Sequence, residues 1–168
     1  MMQDIKLKKN ENYPSVIISE CGKYRYFLSR SWIGQGKKIC FIGLNPSTAD
    51  AVIDDPTIRR CVDFSKRFGG SYLFMVNIFA YRSTNPKSLE NVENPLGEKN
   101  SYWIDYALSE ADIIIPAWGN NKLATTHARA IVPEKFHDIL NCLDYNKNNS
   151  PKHPLYVKKD TELKKFNF

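Results

Sequence analysis

The sequence has no apolar run near the ~18 residues that a membrane span requires. Its four cysteines, Cys21, Cys40, Cys61 and Cys142, include no C-x-x-C pair. The first absence argues against a transmembrane helix and a membrane partner. The second removes the usual spacing of zinc and iron–sulfur sites, so no metal and no cofactor is expected. Neither G-x-x-x-x-G-K-[ST] nor G-x-G-x-x-G occurs, which leaves a nucleoside-triphosphate or dinucleotide fold without motif support. The opening residues are basic but lead into no apolar stretch, so no secretory signal is expected. A cytoplasmic location with reduced, packed cysteines follows as the expectation.

What is present is an ordinary globular composition: 168 residues, 42% hydrophobic and 25% charged, enough for one domain with a real core. A single domain over residues 1–168 is expected, with loosely held ends at 1–12 and 158–168. The net charge of +6 permits a polyanionic partner. Much of it lies late in the chain, where Lys147, Lys152, Lys158, Lys159, Lys164 and Lys165 face only Asp160 and Glu162 after Tyr145.

Compact apolar runs mark buried strands at Lys38–Gly43, Tyr72–Ile78, Asp112–Ala117 and Phe136–Leu143. Helices are expected between them. Asp55-Pro56-Thr57 supplies an N-cap and a first-turn proline, and Gly69-Gly70 supplies a stop. Gly97–Ala111 forms a second helix and the residues after Trp118-Gly119-Asn120-Asn121 a third, with His127 packed inward. Val16–Ile18 and Tyr24–Leu28 flank a turn at Cys21-Gly22-Lys23 and read as an N-terminal β-hairpin. The alternation predicts an α/β three-layer sandwich around a mostly parallel four-stranded sheet, plus that hairpin.

Ligands of such sheets bind beyond the carboxyl ends of the strands. Those ends carry Gly43-Leu44-Asn45-Pro46-Ser47, Asn77 with Tyr81 and Arg82, and Trp118-Gly119. Asn45 offers both a donor and an acceptor, or simply makes an Asn-Pro turn. Asn77 ends an apolar strand, and a buried amide either pins a loop or meets a ligand. Asp50, Asp54 and Asp55 cluster near the first loop. Asp55 is explained by the cap, which leaves Asp54 as the candidate catalytic carboxylate, able to position water, or as part of a solvated loop. Arg59 and the lysines Lys152 and Lys158 are candidate phosphate contacts. His153 lies between Pro151 and Pro154, stiffened as a candidate hydrogen-bond donor.

In order and placement these segments resemble the uracil-DNA glycosylase superfamily. The resemblance rests on Gly43-Leu44-Asn45-Pro46 after the first core strand, the apolar strand ending in Asn77, Tyr81-Arg82 in the next loop, Trp118-Gly119 after a later strand, and His153-Pro154. It implies a glycosylase-like fold and hydrolysis of an N-glycosidic bond in DNA or a nucleoside. In that scheme Asn45 places water, Asn77 reads the base edge, His153 donates to the departing base anion, and Tyr81, Phe79 or Trp118 stacks on the base. The chain also resembles a bacterial and phage family catalogued as DUF1643, a domain of unknown function, through Gly43–Ser47, Asp54–Thr57 and His153–Tyr156. Two other readings stay open: a non-catalytic module binding nucleic acid or a modified base, and a metal-assisted hydrolase using Asp50, Asp54 and Asp55.

Overall fold

The structure, a computed structural model, describes residues 12–168; the expected loose N-terminal end lies, up to residue 11, outside the described residues. Five strands form one sheet in the order β1-β2-β4-β3-β5. They are β1 (Val16–Ile18), β2 (Arg25–Ser31), β3 (Lys37–Gly43), β4 (Gly70–Asn77) and β5 (Ile113–Pro116). The apolar runs of β3 and β4 are buried because helices cover both faces. Helix α1 (Pro56–Arg67) packs Ile58, Cys61 and Phe64 with Leu28, Phe41, Leu73 and Met75. On the opposite face, α2 (Asn100–Glu110) and α3 (Lys122–Ile131) bring Ile104, Leu108 and Ala128 against Phe27, Cys40, Phe74 and Val76. This is an α/β fold.

Its sheet is mixed, not mostly parallel. β3 runs parallel to both β4 and β5. β2, however, is antiparallel to β4 (Leu28 opposite Met75) and to β1 (Ile17 opposite Phe27). The hairpin is therefore part of the central sheet. The reason is burial on both faces: every residue of β2 is buried, so it occupies an interior position that an appended hairpin would not have.

The expected fourth parallel strand is also absent. Glu134–Ile139 forms a 3-10 turn, and only Leu140 reaches β5, through a single parallel bridge to Ile114. Phe136 and Leu140 are buried while Asp138 and Ile139 are exposed. That four-residue spacing belongs to a helical turn, not to strand alternation. Two-residue strands follow, β6 (Asn141–Cys142) pairing antiparallel with β7 (Lys164–Lys165).

The helix boundaries follow their caps. Asp55 Oδ1 accepts from Ile58 N at 2.9 Å, Pro56 opens α1, and Gly69 takes φ +81° just beyond its end. Asn121 caps α3 by accepting from Leu123 N and Ala124 N at 2.9 and 3.2 Å. His127 is exposed, contrary to its expected packing, because the inward stripe of α3 runs through Ala124 and Ala128.

The C-terminal end is a packed part of the fold, unlike the loosely held end expected over 158–168. Phe166 is 2% exposed, meets Trp118 edge-on at 5.6 Å and stacks on Tyr145 at 5.9 Å. Arg60 donates to Val157 O, and Arg67 to Asp160 O and Thr161 O, so α1 grips the tail by its backbone. Phe166→Ala is predicted to cost about 3 kcal/mol of unfolding free energy, as for other buried phenylalanines. Urea denaturation checks this, and a change below about 1 kcal/mol would fit a tail that is not part of the core.

Candidate functional site

A cavity of about 510 Å³ opens at the carboxyl ends of the parallel strands, on the α1 face. Its wall takes Gly43–Ser47 after β3, Asn77 at the end of β4, Ala117–Asn121 after β5, and His153 with Leu155 and Tyr156 from the late loop. The start of α1 contributes Asp55 and Thr57, and β2 contributes Arg25. Asn45, Asn77, His153, Trp118 and Gly119 thus share one cavity, although 108 positions separate Asn45 from His153 in the numbering.

Asn77 is the most constrained of them. Register places it beside Gly43 at the end of the β3–β4 pairing. A β-carbon at Gly43 would lie 2.6 Å from Asn77 Oδ1 and 2.7 Å from Met75 Cε, so only glycine leaves the amide its place. From behind, Asn100 Nδ2 donates to both Asn77 O and Ile78 O at 3.0 Å. The backbone is held, yet Asn77 is 2% exposed and neither its Oδ1 nor its Nδ2 has a hydrogen-bond partner among the described residues. Such a group costs roughly 1–3 kcal/mol when left unmet.

Asn45 is anchored by its nitrogen. Nδ2 donates to Ser83 O at 3.0 Å, Pro46 O at 3.2 Å and Tyr81 O at 3.4 Å, tying the first loop to the loop after β4. These bonds leave Oδ1 as the part of the amide available to the cavity. His153 is fixed by its other side: Nδ1 accepts from Leu155 N at 3.2 Å. In the neutral ring this bond puts the proton on Nε2. Burial pushes the imidazole below the ordinary value of 6.5, and the opposing charge of Asp55 only partly offsets this. His153 is therefore a neutral N–H donor at pH 7. The bond from Gly119 N to Pro151 O, 2.9 Å, fastens its loop to the end of β5.

The carboxylate on the wall is Asp55, not Asp54. Asp54 pairs with Arg30 Nε at 2.8 Å and does not line the cavity. Asp50 Oδ1 closes its own turn, accepting from Val52 N and Ile53 N at 2.9 Å. The three aspartates thus have separate duties. No group of three His, Cys, Asp or Glu among the described residues is arranged to hold a metal. The cysteines form no disulfide; Cys40, Cys61 and Cys142 are buried and Cys21 is exposed.

Other candidates stand further off. Tyr81 and Arg82 line an adjoining hollow of about 500 Å³ that meets the main cavity at Ser47, Ser83 and Thr84. Arg82 donates there to Gly22 O at 3.2 Å and Ser47 O at 3.4 Å. Phe79 is 2% exposed, in the core. Trp118 reaches the cavity, but its ring already stacks on Phe168 at 5.9 Å. The accessible aromatic at the rim is Tyr156, 81% exposed and 5.7 Å from the His153 ring. Arg59 donates to Asp54 O at 2.9 Å, and Lys152 pairs with Asp144 at 3.3 Å. Lys158 is exposed, while Lys164 also pairs with Asp144 and Lys165 donates to Asp138 O. The tail's charge is thus partly committed within the protein.

Sequence reasoning missed Arg25 and Tyr156 as wall residues, and named Asp55 only in the metal-assisted reading. Arg25 looked like one more strand residue, and Asp55 looked fully used as a cap. Only the Asp-Asp pair before Pro56 hinted that two carboxylates would divide two tasks.

A depressed His153 has a consequence for stability. The unfolded chain takes up a proton before folded His153 does, so stability falls as pH drops below 6.5. Above that value the contribution is fully present. His153→Gln is predicted to flatten this acid limb in a pH series of urea midpoints; an unchanged slope would contradict a half-buried, neutral imidazole.

No helix among the described residues is long and apolar enough to cross a membrane. A search of curated proteins and one of solved structures returned no match. One family model matches residues 25–155, a span that begins at Arg25 and includes His153. The chain belongs to that family, described as a protein of unknown function, DUF1643.

Proposed function

We propose that the cavity takes the base of a nucleoside or of a DNA nucleotide and that the protein hydrolyses the N-glycosidic bond joining it to the sugar. The observation that carries this reading is the Asn77 side chain: a buried amide with a free donor and a free acceptor on a cavity wall. The complementary ligand presents an acceptor and a donor side by side, as the amide edge of a nucleobase does. A volume of about 510 Å³ suits a ligand of that size.

The remaining wall groups can be given roles in one reaction. Water attacks the anomeric carbon, and the carbon–nitrogen bond breaks with its electron pair passing to the base. Negative charge develops on the ring and its carbonyl oxygen, where the neutral Nε2–H of His153 donates. Asn45 Oδ1 holds the water. Asp55, whose Oδ1 already caps α1, takes the water's proton on its other oxygen. Tyr156 at the rim covers the base by stacking. Asp55 thereby takes the place first given to Asp54.

The direct test is release of free base from a panel of oligonucleotides and nucleosides carrying unmodified and altered bases. Base release by the wild type is expected, with Asn77→Ala and His153→Ala each slower by more than about tenfold. Release that survives both changes would overturn the roles. A non-catalytic module, the second reading, predicts binding of the same ligands with no base release, and Asn77→Ala would then weaken affinity alone.

A further inference from the structure

Two buried arginines stand on β2, and they are treated oppositely by the fold. Arg30 is 5% exposed and saturated. Its guanidinium meets Asp54 at 2.8 Å and the carbonyls of Ser29 at 2.9 Å, Ser15 at 3.3 Å and Ile53 at 3.4 Å, with Asp50 O as a further partner. Arg60, which grips Val157 O from α1 and lies away from the cavity, also leaves its Nε without a partner, so an unmet Nε alone does not mark a site. Arg25 is more deeply buried, at 2% exposure, and makes one side-chain hydrogen bond, from Nη1 to Ala49 O at 3.1 Å. Its Nε is buried with no partner, and it forms no ion pair with any described residue.

A guanidinium in that state is poorly placed for stability. Burial lowers its affinity for its own proton to a pKa of about 10, still charged at neutral pH. Asp55 exerts the main favourable charge on it without pairing to it. Folding has thus left a desolvated cation short of partners on the wall of the cavity. Arg25 N donates to Ala80 O at 3.0 Å, three residues beyond Asn77, so the two side chains come from adjacent strands at the same end of the sheet.

We propose that Arg25 is the receptor for an anionic oxygen of the ligand, from a carboxylate or a phosphate, held in the cavity whose amide reader is Asn77. The nucleobase reading supplies the ring in this picture; the anion site itself stands on Arg25 alone. Guanidinium donors bind such groups through paired, directional hydrogen bonds. Asp55 opposes an anion in the same cavity. Selectivity must therefore come from direct bonds to Arg25, not from a diffuse positive field.

The test uses the full chain with inorganic phosphate, uracil, orotate (the same ring with a carboxylate), uridine and uridine monophosphate. Melting temperature and titration calorimetry are the readouts. Phosphate is expected to raise the melting temperature of the wild type. At least one charged ligand, orotate against uracil or the monophosphate against uridine, is expected to bind more than about tenfold tighter than its neutral counterpart. The winning pair identifies whether the anion belongs to the ring or to the phosphate. Arg25→Met should abolish both effects while not lowering the melting temperature of the free protein, since it removes an unpaired buried charge. Should that variant fail to fold, Asn77→Asp sets a carboxylate in the same cavity at nearly constant volume and should abolish the response to phosphate. The inference is overturned if no anion stabilises the wild type, or if stabilisation survives in Arg25→Met. Stabilisation by phosphate that depends on Arg25, with no gain from any ring, would uphold the anion site and sink the nucleobase reading.

Discussion

Strand β3 lies in parallel register against β4 from Lys38 opposite Tyr72 to Gly43 opposite Asn77. The rest of the molecule is arranged around that pairing. It fixes the two strand ends at one level, so the loops that leave them share one opening. Ile78 N continues the ladder to Gly43 O and Phe79 N to Leu44 O, each at 2.9 Å, before the chains diverge. On the other side of β3, Ala117 N donates to Ile42 O at 2.8 Å and brings the Trp118-Gly119 turn to the same rim. The missing β-carbon of Gly43 is what lets the Asn77 amide stand at the bottom of that opening.

The polar groups around this frame fall into two kinds. Some have their hydrogen bonds supplied by the protein: Asp50 within its turn, Arg30 with Asp54 and surrounding carbonyls, the nitrogens of Asn45 and Asn100 on backbone oxygens. Their role is to hold loops. Others are buried or half-buried with polar atoms left unmet: both ends of the Asn77 amide and the Nε of Arg25 on the cavity wall, and, away from it, the Nε of Arg60 and the Oδ1 of Asn100. A fold that satisfies the first kind this fully could have satisfied the second with an apolar substitution. Retaining them costs stability, and two of them, Asn77 and Arg25, stand on the wall of one cavity.

Much of this was legible in the sequence where one physical cause dominates. Apolar runs placed β3, β4 and β5, and Asp55-Pro56 placed the start of α1, because burial and capping act locally. Convergence of Asn45, Asn77 and His153 on one cavity followed from the rule that strand ends gather, together with the resemblance that linked the motifs. Strand direction was not legible. Nothing within Arg25–Ser31 says whether its partner runs the same way, and the tight turn before it suggested only a local hairpin. Phe136–Leu143 misled because a short apolar stretch fits a turn as well as a strand. The packed tail was hidden by its lysines: Phe166 provides the burial while Lys164 and Lys165 beside it stay at the surface. Arg25 was missed, and Asp55 was set aside as a cap outside the metal-assisted reading, for one reason: a residue with an evident structural duty can still present its remaining atoms to a cavity.

The central claim is that the unmet groups of the cavity are a ligand receptor. A crystal structure of the protein with uridine monophosphate tests it most directly. The account predicts that both polar atoms of Asn77 lie within hydrogen-bond distance of the base edge, about 2.7–3.2 Å, with an anionic oxygen of the ligand on the Arg25 guanidinium. A ligand bound elsewhere, with Asn77 and Arg25 both satisfied by enclosed waters in the occupied and the free protein alike, would contradict it.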